Sequence, residues 1–387
     1  MKYIVTFFLL LQSVCLTAND SIVISKLLSR IDALQIKQVG IFPKGSFPSY
    51  RTYALNKHRS KADDNIFFTS LISFTLQNIS SELSTLQQQQ ANSIIANIES
   101  VFPKFRNKKT SHYTYNFWPT DTPKVFPHSG WINLFNKSWS LPDDLDDTVI
   151  SLMAQKKSDS IAIEVHKFMQ SFTNSENKPI KNTFEEYKKI KAYSTWFGVK
   201  MPIEFDLCVH ANILYFLQFY NLTWTDSDSA TLYLIENSIR TDKHMNYADY
   251  ISPQYARTPI ILYHISRLMS LKSIPILEKL KPKLIEDTKK VLSSSNNFMD
   301  KVILSTSLLR WGVKPPEFII SEPTDLINLL EDDTFCFFIA NRGSIMSDRL
   351  KKIVTRTRLG VFYYYCPAYN HVLFLENLAL RKRVGFQ

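Results

Sequence analysis

Residues 205–220 read FDLCVHANILYFLQFY, and this stretch decides the fold class. Apart from Asp206, His210, Asn212 and Gln218, every position is apolar or aromatic. A helix of this composition has no polar face to offer water and must be buried on most of its surface. It also falls short of the roughly 20 residues of a membrane span. Working outward, further apolar helices are predicted to begin near residues 64, 143, 255, 298 and 370. Most are followed by a more amphipathic partner, such as LQQQQANSIIANIESV at 86–101 or SATLYLIENSIR at 229–240. Helix pairs with one deeply buried member predict an all-α protein in two concentric layers. The arrangement expected is an α/α toroid, a double-layered helical barrel of about six helix pairs, with a stacked solenoid as the alternative. The polar residues opening the inner helices, Asp64-Asn65, Asp143 to Asp147 and Asp206, then face the mouth of a central cavity. A small β-hairpin is expected within 332–369, from FCFFIANR and LGVFYYYCPAY. Residues 104–141 form a long aromatic- and Pro-rich connection, of a length that commonly serves as a lid or cavity wall.

Composition narrows the function. The 387 residues carry Lys+Arg 46 against Asp+Glu 35, a net charge of +11, but the basic residues are scattered. Without a basic stripe the surplus points away from nucleic acid and toward solubility or loose attraction to anionic surfaces, including peripheral membrane contact. Gly is scarce, with 8 in the chain, which argues against a Gly-rich phosphate cradle. Met1-Lys2, the apolar run YIVTFFLLL at 3–11 and the small residue Ala18 fit a secretory signal peptide. Residues 1–18 therefore read as a cleaved leader, and 19–387 as one exported domain, secreted or periplasmic. Cys208, Cys336 and Cys366 then remain; the last two either bridge or stay as buried thiols. Their spacing fits no zinc motif.

The sharpest local feature is Pro142-Asp143-Asp144-Leu145-Asp146-Asp147-Thr148. One or two acids at this point serve the helix cap and dipole. Four repel one another and raise at least one pKa, so the run lowers stability unless a cation, a partner or a chemical task offsets it. Besides a purely structural role, three functions fit. Asp144, Asp146 and Asp147 form D-x-D-D, in which crowding keeps one carboxyl protonated as a general acid. Asp143 and Asp147, four apart on one helix face in D-D-x-x-D, suit Mg²⁺ held against a diphosphate. A structural Ca²⁺ is the third.

D-x-D-D-T opening an inner helix, among paired helices rich in aromatics, resembles the toroid of the terpenoid cyclases of the squalene–hopene type and their prenyltransferase-fold relatives. The resemblance implies acid-initiated isoprenoid cyclisation, with Asp146 protonating an alkene or epoxide and Asp144 and Asp147 as its hydrogen-bonding neighbours. Aromatic faces would stabilise the carbocation. It also implies a supporting His on a neighbouring inner helix, best matched by His210, then by His264. Tyr255, Tyr263 and Arg267 recur at helical spacing and read as core packing or as a ligand-facing set. Trp118 and Trp131, with Trp139, read as packing over the cavity mouth or as stacking platforms. Two other classes remain open: a secreted carbohydrate-active enzyme using Asp pairs on the same toroid, and a non-enzymatic binding module with a structural or calcium-bound Asp cluster. A closed apolar pocket favours an isoprenoid ligand; an open groove with carboxylates and arginines favours a glycan.

Overall fold

The computed structural model describes residues 21–121, 141–198, 201–318 and 323–385. The expected leader, 1–18, and Trp131 and Trp139 lie outside them. Helix α1 covers 21–34. Strands β1 (Tyr50–Tyr53) and β2 (Asn56–Ala62) follow, then α2 (Phe67–Asn78), α3 (Thr85–Ile98), α4 (Leu145–Ala154) and α5 (Asp159–Met169). Next come α6 (Leu207–Phe219), α7 (Asp226–Arg240), α8 (Lys243–Asn246), α9 (Ala248–Ile251), α10 (Thr258–Leu271), α11 (Pro275–Glu278), α12 (Lys281–Ser294) and α13 (Phe298–Arg310). The chain continues through α14 (Pro323–Glu331), β3 (Phe338–Asn341), α15 (Asp348–Thr357), β4 (Val361–Tyr365) and α16 (Pro367–Val384).

The protein is mostly helical, and burial separates its helices into two kinds. Every residue of α4 is buried, as are most residues of α2, α6, α10, α13 and α16. Helix α2 packs on α4, α4 on α6, α6 on α10, α10 on α13, α13 on α16, and α16 on α2. The amphipathic helices lie against these: α3 on α2, α7 on α6, α12 on α10 and α13, α14 on α16. Caps set several starting points. Asp144 begins α4, Asp206 begins α6 by accepting from the N–H groups of Cys208 and Val209, and Asn297 begins α13. Each satisfies amides that a helix N-terminus otherwise leaves orphaned.

The mostly helical fold agrees with the all-α expectation, and the small β element expected near the C-terminus is larger than a hairpin: a four-stranded antiparallel sheet in the order β2-β1-β4-β3. Of the hairpin expected within 332–369, the strands are present and pair from Phe338↔Tyr364 to Asn341↔Val361. Their connection is not a tight turn: a 3₁₀ turn at Arg342–Ile345 and α15 intervene. The β1–β2 pair gave no sequence signal, because β2 (NKHRSKA) is a charged edge strand without apolar alternation. It is carried by β1, whose aromatic residues pair across to β4: Tyr50 with Tyr365 at 5.4 Å and Tyr53 with Phe362 at 5.2 Å between ring centres. Cys208, Cys336 and Cys366 are buried, and Cys336 and Cys366 do not bridge one another. Among the described residues no helix is long and apolar enough to cross a membrane.

Candidate active site

The acid run sits where the chain passes from extended to helical. Asp144 forms isolated β-bridges with Tyr115 on one side and Trp196 on the other. Its own N–H donates to the Tyr115 carbonyl, and the N–H of Leu145 to that of Thr195. With φ −126° and ψ 161°, Asp144 is the cap, and α4 starts only at Leu145. Asp143 therefore lies upstream of the helix, which corrects the expectation that Asp143 and Asp147 share a helix face. Asp143 accepts from Thr114 Oγ1 at 2.6 Å and Asn107 Nδ2 at 2.7 Å, and lines an open cavity of about 340 Å³. Asp147 is not among the residues lining that cavity. Among the described residues no group of three His, Cys, Asp or Glu side chains is placed to hold a metal ion, so this placement offers no support for Mg²⁺ or Ca²⁺.

Asp144, Asp146 and Asp147 instead line a cavity of about 90 Å³ walled by Phe67, Phe117, Trp118, Trp196, Phe338 and Tyr364. Arg342, Ser344 and Ile345, from the turn after β3, also border it. The three carboxyls are not equivalent. Burial pushes Asp147 well above the usual carboxylate range, and the neighbouring charge of Asp144 pushes it further. Burial also lifts Asp144, to about 7, while hydrogen bonds from Asp147 hold it down. The two behave as a pair in which Asp147 keeps the proton and donates to Asp144. Asp147 Oδ1 is buried with no partner.

Asp146, the proton donor implied by the resemblance, is differently placed. Asn212 Nδ2 donates to its Oδ1 at 2.6 Å, and the Tyr255 hydroxyl donates to its Oδ2. Burial raises its pKa, but these bonds and the nearby Arg267 guanidinium oppose the rise and favour the carboxylate. Arg267 Nη2 donates to Asn212 Oδ1, so an Arg267–Asn212–Asp146–Tyr255 chain runs between α10, α6, α4 and the segment before α10.

The other expected residues divide. Trp118 lines the apolar cavity, held by Nε1 donating to Asp63 Oδ1 at 3.0 Å. Tyr255, Tyr263 and Arg267 are buried but are not among its lining residues. Tyr263 donates to Glu376 Oε2 at 2.7 Å. His210 does not reach the acids. Its Nε2 donates to the Tyr193 carbonyl at 2.8 Å, burial lowers its pKa to about 4, and it borders a separate void of about 20 Å³. Its neighbour Asn212 makes the contact expected of it. His264 packs edge-on against Tyr255, 4.7 Å between ring centres, and its Nδ1 donates to the Ile260 carbonyl at 2.8 Å, so it makes no hydrogen bond to Asp146.

Most of the cavity wall carries no signal of a site in the sequence. Phe338 and Tyr364 lie in the strands expected within 332–369, where alternate side chains share a face. Trp196 and Phe117 sit in irregular segments with no periodic signal. Asp63 and Arg51, an ion pair buried beneath Trp118, were hidden in the unexpected β1–β2 region. A second, open groove of about 650 Å³ runs along the sheet, with His58, Asp249, Arg257, Asp333, Arg358 and Tyr363 on its walls. Comparisons of the chain with family models, curated proteins and solved structures found no match.

Proposed function

We propose that the protein is an acid catalyst acting on an apolar, unsaturated group, on an α/α toroid of the terpenoid-cyclase kind. The succession of buried helices, each packed on the next and the last on the first, supports the toroid. Asp147 carries the chemistry: a carboxyl held neutral beside Asp144, with one oxygen uncommitted, lining an aromatic cavity. The alkene π pair takes the Asp147 proton, a C–H bond forms, and the carbocation left behind is faced by the rings of Phe67, Phe117, Phe338 and the tryptophans. The conjugate base of the pair then removes a proton from a carbon next to the cation, so the net change is isomerisation. At Asp146 the bonds from Asn212 and Tyr255 and the Arg267 charge oppose the rise due to burial, and its carboxylate form would favour the cation. This moves the donor role from Asp146 to Asp147.

The cavity sets the size of the reacting group. Its 90 Å³ equal the share of about three waters in the liquid, well below the ~300 Å³ of drug-sized sites. The group admitted is the terminal unit of an isoprenoid chain. The leader-like residues 1–18 support an exported location, secreted or periplasmic.

The test is incubation of the purified chain with squalene, its epoxide and linear polyprenols, with chromatography and mass spectrometry reading isomers of unchanged mass. Wild type and Asp143→Asn should form product, and Asp147→Asn should lose at least about 100-fold. No isomer from any substrate, or full turnover by Asp147→Asn, overturns the reading. The open groove, with Asp249, Asp333, Arg257 and Arg358, favours a second reading as a glycan site; soluble oligosaccharides that protect His58 from chemical modification would support it.

A further inference from the structure

Exposed apolar side chains are scattered singly over most of this surface, as at Leu86 and Ile163, which needs no explanation. Between β3 and β4 they are not single. Ile345 (39% exposed), Met346 (42%), Leu350 (51%), Ile353 (56%) and Leu359 (48%) fall in one short insert around α15. The inner side of α15 is fastened down: Lys351 Nζ donates to the carbonyls of Asn182 at 3.2 Å and Tyr250 at 3.0 Å. Val354 packs so tightly over Gly343 that a Cβ there would lie 2.3 Å from its Cγ1. Leu350 and Ile353 are thus left outside by a helix that cannot turn them in.

Exposed Arg349, Lys352 and Arg358 are interleaved with these apolar residues. The acid on the helix, Asp348, is occupied by the Tyr250 hydroxyl and Lys352. A short helix with a strongly one-sided apolar stripe, low overall hydrophobicity and basic flanks has the character of a helix lying in a membrane interface. The charge selects the surface: basic groups among apolar ones match anionic headgroups over acyl chains. The same insert reaches the acid site, because Ile345 is both exposed on this patch and part of the lining of the apolar cavity, beside Arg342 and Ser344.

We propose that residues 345–359 dock the protein on an anionic bilayer. Ile345, Met346, Leu350, Ile353 and Leu359 enter the interface, and Arg349, Lys352 and Arg358 meet lipid phosphates. An apolar ligand then passes from the bilayer to the cavity without crossing water. The ligand route rests on the acid-catalyst reading; the docking rests on the surface alone.

The test uses the full chain with a polarity-sensitive fluorophore at Ile353→Cys, compared with one at Leu86→Cys and with wild type labelled in parallel as baseline. Mixed phosphatidylglycerol–phosphatidylcholine vesicles should shift the emission at 353 to the blue and leave that at 86 unchanged. Pure phosphatidylcholine should give a weaker shift, and added salt should reverse most of it. In co-sedimentation, Leu350→Asp with Ile353→Asp should lower partition onto the phosphatidylglycerol-containing vesicles at least about tenfold, and an unchanged partition overturns the docking. Both positions are more than half exposed, so circular dichroism should match wild type. No shift at 353, or equal shifts at 353 and 86, overturns the docking. Asp147→Asn should bind vesicles as wild type does, so loss of chemistry and loss of docking are read separately.

Discussion

Replacing Asp147 by Asn should stabilise the protein at neutral pH while abolishing its acid function. In the folded chain burial and Asp144 keep the Asp147 proton in place well above its ordinary pKa of 3.8. In the unfolded chain it is lost near that ordinary value. A group whose folded pKa is raised contributes its full stability below the unfolded pKa, and loses it as pH rises toward the folded one. One proton held only by the folded state costs about 1.4 kcal/mol per pH unit. That cost accumulates from near pH 4 upward until the folded pKa is reached. Asn has no proton to hold, and its Nδ2 can donate to Asp144 as the carboxyl did. Asp144 itself, lifted to about 7, pulls in the same direction in both chains. His210, lowered to about 4, pulls the other way in both, since its contribution is lost as pH falls. The difference between variant and wild type therefore reports the Asp144–Asp147 pair. Urea unfolding followed by tryptophan fluorescence across this range should show the gap widening with pH in favour of the variant. Parallel profiles would refute the shared-proton account, and with it the donor role.

Three further outcomes are expected. Arg51→Ala strips the partner from Asp63, which is fully buried and also holds Trp118; stability should fall by about 3–5 kcal/mol in denaturant titration, and a loss under about 1 kcal/mol would contradict the burial argument. Gly343→Ala drives a methyl into Val354 and should cost about 1–3 kcal/mol while exposing the Lys351–Lys352 bond to trypsin; an unchanged digestion pattern counts against tight fastening of α15. Burial raises the Cys208 thiol pKa well up and that of Cys366 to about 12, so a thiol reagent at neutral pH should label neither until the chain unfolds. Mass mapping of labelled peptides reads this directly.

The buried helices were legible because α2, α6 and α10 carry long, mainly apolar runs, a pattern that the inside of a protein tolerates best. Their predicted starts near 143, 206 and 298 lie within two residues of the observed Leu145, Leu207 and Phe298, since Asp and Asn caps mark them. The acid run was legible as a local conflict of charge, but its division of labour was not. That division depends on Asn212, Tyr255 and Arg267, which arrive from distant sequence and oppose the rise due to burial at Asp146. His210 looked well placed because its helix is; Asn212, two residues on, points to nearly the opposite face of that helix, and a single sequence does not say which faces the acid. The sheet was half legible: β3 and β4 carry aromatics, whereas β2 is charged and short of any pattern.

Helix α16 touches both α13 and α2, and β4 lies beside β1. The two ends of the described chain are thus stitched together by contacts that span nearly its whole length. On the ribosome, a nascent chain that stops short of 361–384 has a bare greasy seam along α2 and a sheet reduced to one hairpin. Such long-range closure is slow, so assembly must wait for the final helix, and a protease that clips this keystone would undo the molecule at its first turn as well as its last.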